Sequence, residues 1–311
     1  MSKLAKGILV FASIFSCLVV AHTIYGASVS STVNIGTATP VISSVNINNT
    51  NPATITLTAN ATTSITVSAV ISDSNGCAEI TGGTTTILLY RSGISSSTCF
   101  TTADNRNCYV AQAFTASSTC AGGSQTATTT FGVWYFAQAT DASSSFPNQN
   151  WVATVYFTTL DKTTSTTDST HSTSSNVISS LTALNITTSS INYGTLAASS
   201  TTGSVNQNTT TTNAGNSSTT IQISAQSTLT NGANSISTSS QFYATSTFTV
   251  NVGSTSTALT GSGVTVPGIT LTSPTSTTNV STLFLWGLAV PNGTPTGTYN
   301  GTNLFTAVFH T

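Results

Sequence analysis

Four cysteines, Cys77, Cys99, Cys108 and Cys120, fall close together in a chain that has few other reactive groups. Their gaps include no Cys-x-x-Cys pair and no histidine lies near them, which argues against a zinc site. An even number in one stretch of an exported chain reads instead as two structural disulfides, and spacing alone leaves all three pairings open. The acids are Asp73, Glu79, Asp104, Asp141, Asp161 and Asp168, and the histidines are His22, His171 and His310. Acid–base or nucleophilic catalysis needs such groups held together in a folded frame. Here one histidine lies at the end of an apolar N-terminal segment, one in a polar tract and one beside the C-terminus. No enzyme and no cofactor are expected. Asp73, Asn75 and Glu79 supply oxygen donors for a weak calcium candidate, but a calcium ion takes six to eight oxygens. The plainer reading of Asp73-Ser74-Asn75-Gly76 is a turn in which Asp and Asn side chains bond nearby amides.

The frame around these residues is unusual in composition. Of 311 residues, 49 are Ser and 68 are Thr, while charged residues make up 4% and the formal net charge is −1. Two of the five cations, Lys3 and Lys6, precede the apolar run Gly7–Val20, and small residues follow it. This is the layout of a secretory signal over residues 1–27. Rival fates for the segment are an uncleaved anchor, acylation at Cys17, or retention as the assembly helix of a pilin-like subunit. With no basic stripe left in the remaining chain, nucleic-acid binding has no electrostatic footprint. Eight Asn-x-Ser/Thr sequons match what chance gives in a chain this rich in Ser and Thr, so they permit glycosylation without arguing for it.

Period-two alternation dominates the rest. Residues 28–40 form a polar leader. In residues 41–161, Ile65, Val67, Ala69 and Ile71 share one strand face, and Thr84–Arg91, Cys108–Phe114, Phe131–Ala139 and Trp151–Leu160 continue the pattern. Short strands separated by Gly, Asn, Asp and Ser clusters indicate an antiparallel sandwich of immunoglobulin-like dimensions. Lys162–Asn176 contains no apolar side chain and reads as a Ser/Thr linker. Residues 177–311 repeat the alternation without cysteines, in Leu181–Thr187, Ile191–Leu196, Thr220–Gln226, Gln241–Val252, Thr282–Val290 and Asn303–Phe309. The turn residues of Pro291–Gly301 predict a hairpin between the last two. The fold class expected is therefore all-β: two antiparallel Ig-like β-sandwich domains in tandem after a signal peptide.

The stretch SSINYGTLAASS, with PNGTPTGTYNG near the C-terminus, resembles secreted bacterial Ig-like surface modules, in which such a strand opens the domain and such a hairpin closes it. The segment with SNGCAEITGG, NCYVA and WYFAQATDASSSFPNQNWVATVYFTTLD is similar to a cysteine-bearing module found beside them in exported proteins of uncultured bacteria. The resemblance spans most of the chain beyond the leader. Its motifs are structural, and the group has no assigned activity, so it implies no functional residues.

Together these features imply a non-catalytic extracellular or cell-surface structural protein, with no membrane segment in the mature form. Near-zero charge removes the repulsion that keeps copies apart, so the expected partners are further copies of the chain, other surface proteins, or glycans. Self-assembly would proceed by strand addition at a sheet edge, with Val29–Asn46 as donor. The alternative is an adhesin or carbohydrate-binding module, for which Trp134, Tyr135, Phe136, Trp151 and Tyr156 would have to face solvent.

Overall fold

Thr- and Val-rich segments without helical periodicity form strands wherever one face can be buried, and the computed structural model follows that rule through most of its length. It describes residues 28–48, 54–102, 104–111, 115–116, 119–168, 176–251, 253 and 255–310. The apolar segment 1–27, with Cys17 and His22, lies outside the described residues, as does His171.

The first half comprises β1 (Val41–Ile47), β2 (Thr54–Ile55), β3 (Thr62–Ser72), β4 (Thr84–Arg91), β5 (Cys108–Ala111), β6 (Thr115–Ala116), β7 (Ser124–Trp134), β8 (Trp151–Thr158) and β9 (Thr164–Asp168), with short helices at Cys77–Thr81 and Ser96–Thr101. Two antiparallel sheets form, in the orders β1-β3-β7-β6 and β5-β4-β8-β9. Ile65, Val67, Ala69 and Ile71 of β3 are buried against Ile87, Leu89, Val155 and Phe157 of the facing sheet. The alternation read from the sequence thus does select the core face. β7 starts earlier than expected and stops at Trp134. Its first residues are Ser, Gln, Thr and Ala; Gln125 and Ala127 are buried on the inner face, Ser124 and Thr126 are only part-buried, and the backbone pairs with β3.

Two sequence expectations change here. Thr164–Asp168, inside the tract read as a linker, pairs its backbone with β8 from Thr164↔Thr158 to Asp168↔Thr154. A solvated edge strand needs ladder hydrogen bonds and β-favouring residues, and an absence of apolar side chains does not forbid it. At the far end of the tract, Asn176 is buried and its carbonyl accepts from the Trp151 N–H (2.7 Å). The expected donor segment also shortens, because Val41–Ile47 is already paired with β3 and buries Ile42, Val45 and Ile47.

The second half comprises β10 (Val177–Ile178), β11 (Leu184–Ile186), β12 (Gln207–Asn213), β13 (Thr219–Ala225), β14 (Leu229–Asn231), β15 (Asn234–Ile236), β16 (Gln241–Ala244), β17 (Thr257–Ala258), β18 (Val264–Leu271), β19 (Ser281–Leu288) and β20 (Asn303–Phe309). A five-stranded sheet, β11-β12-β19-β16-β17, faces a three-stranded one, β18-β13-β20, and β14 pairs with β15. Ile221, Ile223, Tyr243, Phe284 and Trp286 form the core between them. The closing hairpin does not form. β19 pairs with β12 and β16, whereas β20 pairs with β13. Phe305 of β20 meets Phe284 and Trp286 of β19 across the sandwich (5.7 and 5.9 Å between ring centroids). Pro291–Gly301 therefore carries the chain between sheets, because aromatic residues on both strands are better buried facing each other than lying side by side.

The halves belong to one compact unit, Thr37–Thr311. β10 pairs in parallel with β2, and Ile178 is fully buried in the first core. Asn216 ties the seam together. Its side-chain amide donates to the carbonyls of Ala137 (3.0 Å) and Ser179 (3.1 Å), and its oxygen accepts from the Leu181 N–H (2.6 Å). Gly215 beside it has no room for a side chain, since a Cβ there would lie 2.0 Å from the Leu181 carbonyl oxygen.

Candidate functional site

Both disulfides lie in the first half, and they join Cys77 to Cys120 and Cys99 to Cys108. Cys77 opens the helix after β3, and Cys120 precedes β7. Because β3 and β7 are paired from Ser72↔Ser124 onward, this bond ties the two loops leaving one end of the same ladder. Closing so long a loop in the unfolded chain is worth about 4 kcal/mol in the entropic picture. The second bond pins the helix Ser96–Thr101 to β5, over a small outer core of Leu88, Tyr90, Cys99 and Cys108.

The calcium candidates do not converge. Asp73 Oδ1 accepts from the Asn75 N–H (2.7 Å), Asn75 Oδ1 from the Ala38 N–H (2.6 Å), and Glu79 Oε2 from the Asp161 N–H (3.0 Å). Each carries out a separate turn or loop contact, and among the described residues no three His, Cys, Asp or Glu side chains gather around a common point. The other carboxylates also brace loops. Asp141 accepts from the Ser180 N–H (2.6 Å) and hydroxyl (2.7 Å). The Thr159 hydroxyl and the Thr163 N–H hold the Asp161 carboxyl below its ordinary range. Arg91 stacks over Phe146 (3.8 Å) and donates to Asn107 Oδ1 (3.0 Å). Its burial and the nearby Arg106 lower its affinity for a proton.

The aromatic cluster divides. Trp151 is fully buried and donates its indole N–H to the Gln138 carbonyl (2.9 Å). Tyr135 and Phe136 are buried as well, and the Tyr135 hydroxyl donates to Asn279 Oδ1. Trp134 is half-buried with one face stacked on Phe136. Tyr156 meets the exposed Phe100 edge-on, at 5.8 Å.

A different feature, β20, emerges from the pairing pattern. His310 N–H donates to the Ser218 carbonyl (3.0 Å) and Gln226 N–H to the Thr302 carbonyl (2.8 Å). In an antiparallel ladder bonded pairs alternate, so residues 304, 306 and 308 bond β13. The backbone groups of Asn303, Phe305, Ala307 and Phe309 then point away from it. β20 is the last strand of its sheet, and none of the described strands pairs with its outer side. The side chains of Phe305, Ala307 and Phe309 face the core, yet all three stay half-exposed, and Leu304 on the opposite face is 45% exposed. The facing sheet approaches β20 through β11, whose Leu184 is likewise only half-buried.

Other strands at sheet margins carry devices that discourage pairing. β6 and β17 have two residues and β11 has three; β1 is bulged near Ser44, and β18 is bulged and contains Pro267 and Gly268. β20 runs seven residues in continuous register, without charge, proline or glycine. Sequence reasoning missed this edge. The available signal was Asn303–Phe309, with apolar residues on both faces.

No family model matches the chain, and no curated protein matches it. Among solved structures, the CsuC-CsuE chaperone–tip adhesion subunit complex from archaic chaperone-usher Csu pili of Acinetobacter baumannii is similar at 10% identity and a TM-score of 0.36, covering 83% of this chain and 97% of that one. Salmonella alpha-2-macroglobulin is similar at 11% identity and a TM-score of 0.27, over 85% of this chain and 16% of that one. The secreted serine protease VesC of Vibrio cholerae follows at 8% identity and 0.18, over 83% and 49%. Likenesses this remote carry no inference about what the chain does.

Proposed function

We propose that the chain is a secreted, non-catalytic structural protein of the cell surface or extracellular space, which assembles with further copies of itself by strand addition at β20. The observation that carries this reading is the outward row of backbone groups at Phe305, Ala307 and Phe309, beside core side chains that remain half-exposed. An added strand would satisfy those groups and cover that apolar surface in one step. Two disulfides fit an oxidising compartment, and a formal net charge of −1 opposes association very little. The competing adhesin or carbohydrate-binding reading requires exposed aromatic faces. Of the five candidates, Tyr135, Phe136 and Trp151 are buried and Trp134 is covered on one face, which leaves Tyr156, whose edge-on contact with Phe100 offers no flat platform.

Ala307→Pro tests the proposal cleanly. It removes an outward N–H while leaving the ladder to β13 intact, and proline is tolerated on an edge strand. By light scattering and electron microscopy, the unaltered protein is expected to form oligomers that grow with concentration, and the variant to stay monomeric with its far-ultraviolet circular dichroism retained. A monomeric unaltered protein, or assembly undiminished in the variant, overturns the proposal.

A further inference from the structure

We infer that the strand taken up at β20 is Val29–Ile35 of a second copy, an inference that rests on reading β20 as an assembly edge. The segment reads Val-Ser-Ser-Thr-Val-Asn-Ile. As a strand it would place Val29, Ser31, Val33 and Ile35 on one face and Ser30, Thr32 and Asn34 on the other. One face is therefore apolar with a single small hydroxyl, the other is polar, and neither carries charge. Such a strand is what the open edge beside Phe305 lacks: apolar side chains pointing in, polar ones pointing out, and a full set of backbone groups. Read from Val29 to Ile35, the segment can pair along all seven residues of β20.

The chain itself marks the C-terminal limit of this segment. Gly36 and Pro40 follow it, and from Val41 onward the backbone is committed to β3. Val29, Val33 and Ile35 are 88%, 81% and 81% exposed, the most exposed large hydrophobic residues among those described. Apolar side chains at period two with polar neighbours between them give one strand face that a partner can cover. A copy that offers this strand and also displays the β20 edge can give and receive at once. The contact joins two different surfaces, so it propagates into a chain of subunits unless the geometry closes a ring.

Thr32 and Thr306 are the midpoints of the two seven-residue strands, and both are exposed. In a full-length pairing they lie opposite each other whether the strands run parallel or antiparallel, within reach of a disulfide. Purified Thr32→Cys and Thr306→Cys proteins, mixed in equal amounts and mildly oxidised, are expected to give a dimer whose digest contains the 32–306 linked peptide. Val33→Asp, which would place a charge against the half-exposed core side chains of β20, is expected to weaken self-association by more than about tenfold. If assembly proceeds, Ala307→Pro blocks it and no 32–306 link forms, then another strand fills the edge and this inference fails while the assembly reading stands. If a protein carrying both Thr32→Cys and Thr306→Cys forms the 32–306 link only within single chains, while the mixed single variants form none, the leader belongs to its own copy and the inference also fails. Assembly that ignores Ala307→Pro removes the underlying reading itself.

Discussion

The two halves of the molecule solve the same packing problem with different completeness. In the first, Trp151, Phe157, Ile65, Ile71 and Ile87 are sealed from solvent, and a disulfide closes the end of the β3–β7 ladder. Its marginal strands are two residues long, four residues long, bulged, or built from Thr, Ser and Asp. In the second half Phe284 and Trp286 are just as deeply buried, yet Phe305, packed against both, remains half-exposed on an unpaired edge. No cysteine reinforces that half. The same chain thus closes one sandwich fully. The opening at β20 is a property of one edge and not of a loosely built fold.

The largest expected effects sharpen this contrast. Phe157→Ala, in the sealed core, should cost about 3–5 kcal/mol in chemical denaturation. Phe305→Ala should cost clearly less, about 1–2 kcal/mol, because part of its ring is already hydrated. Equal costs for the two would erase the distinction between sealed and open cores.

An intermediate effect is expected at the seam. Asn216→Ala removes the donor to two carbonyls and the acceptor for the Leu181 N–H, at about 2–3 kcal/mol for buried partners left unsatisfied. Calorimetry should then resolve two transitions where the unaltered protein shows one, with the disulfide-braced half unfolding later. The same bonds mean that the sequon at Asn216 cannot carry a glycan in the folded protein, since its amide nitrogen is engaged.

The smallest effect is alkaline. Burial raises the phenol of Tyr109 in the first half and that of Tyr193 in the second. Both are neutral when folded, so their contribution is fully present below the unfolded value of about 10 and is lost as pH rises above it, by no more than about 1.4 kcal/mol per pH unit each. Ultraviolet difference absorbance should show both ionising only as the protein unfolds. Ionisation of Tyr109 in the native state would mean that the first half is less sealed than described.

Much of the fold was legible in the sequence because alternation reports which side chains share a face. Ile65, Val67, Ala69 and Ile71 needed nothing more. What alternation does not report is which strand lies beside which. The turn residues of Pro291–Gly301 argued for a hairpin, but burial of Phe284 and Trp286 against Phe305 sends β19 and β20 to opposite sheets. Thr164–Asp168 escaped notice for the converse reason, since a solvated edge strand carries no apolar signature. The Cys77–Cys120 partnership depended on β3 lying beside β7, a pairing between residues far apart in the chain. Asp73, Asn75 and Glu79 sit close in sequence, and folding sends each to a different amide. The open edge at β20 could be recognised only once its neighbours were known.

Assembly by strand addition requires that the outer backbone groups of β20 be unpaired in the single copy and become paired between copies. Hydrogen exchange at the amides of Phe305, Ala307 and Phe309, compared between dilute and assembled protein, tests it most directly. The expected result is fast exchange at these three amides when dilute and strong protection when assembled, while the alternating amides of Leu304, Thr306 and Val308 stay protected throughout. Identical exchange at Phe305, Ala307 and Phe309 in the two states would contradict the claim.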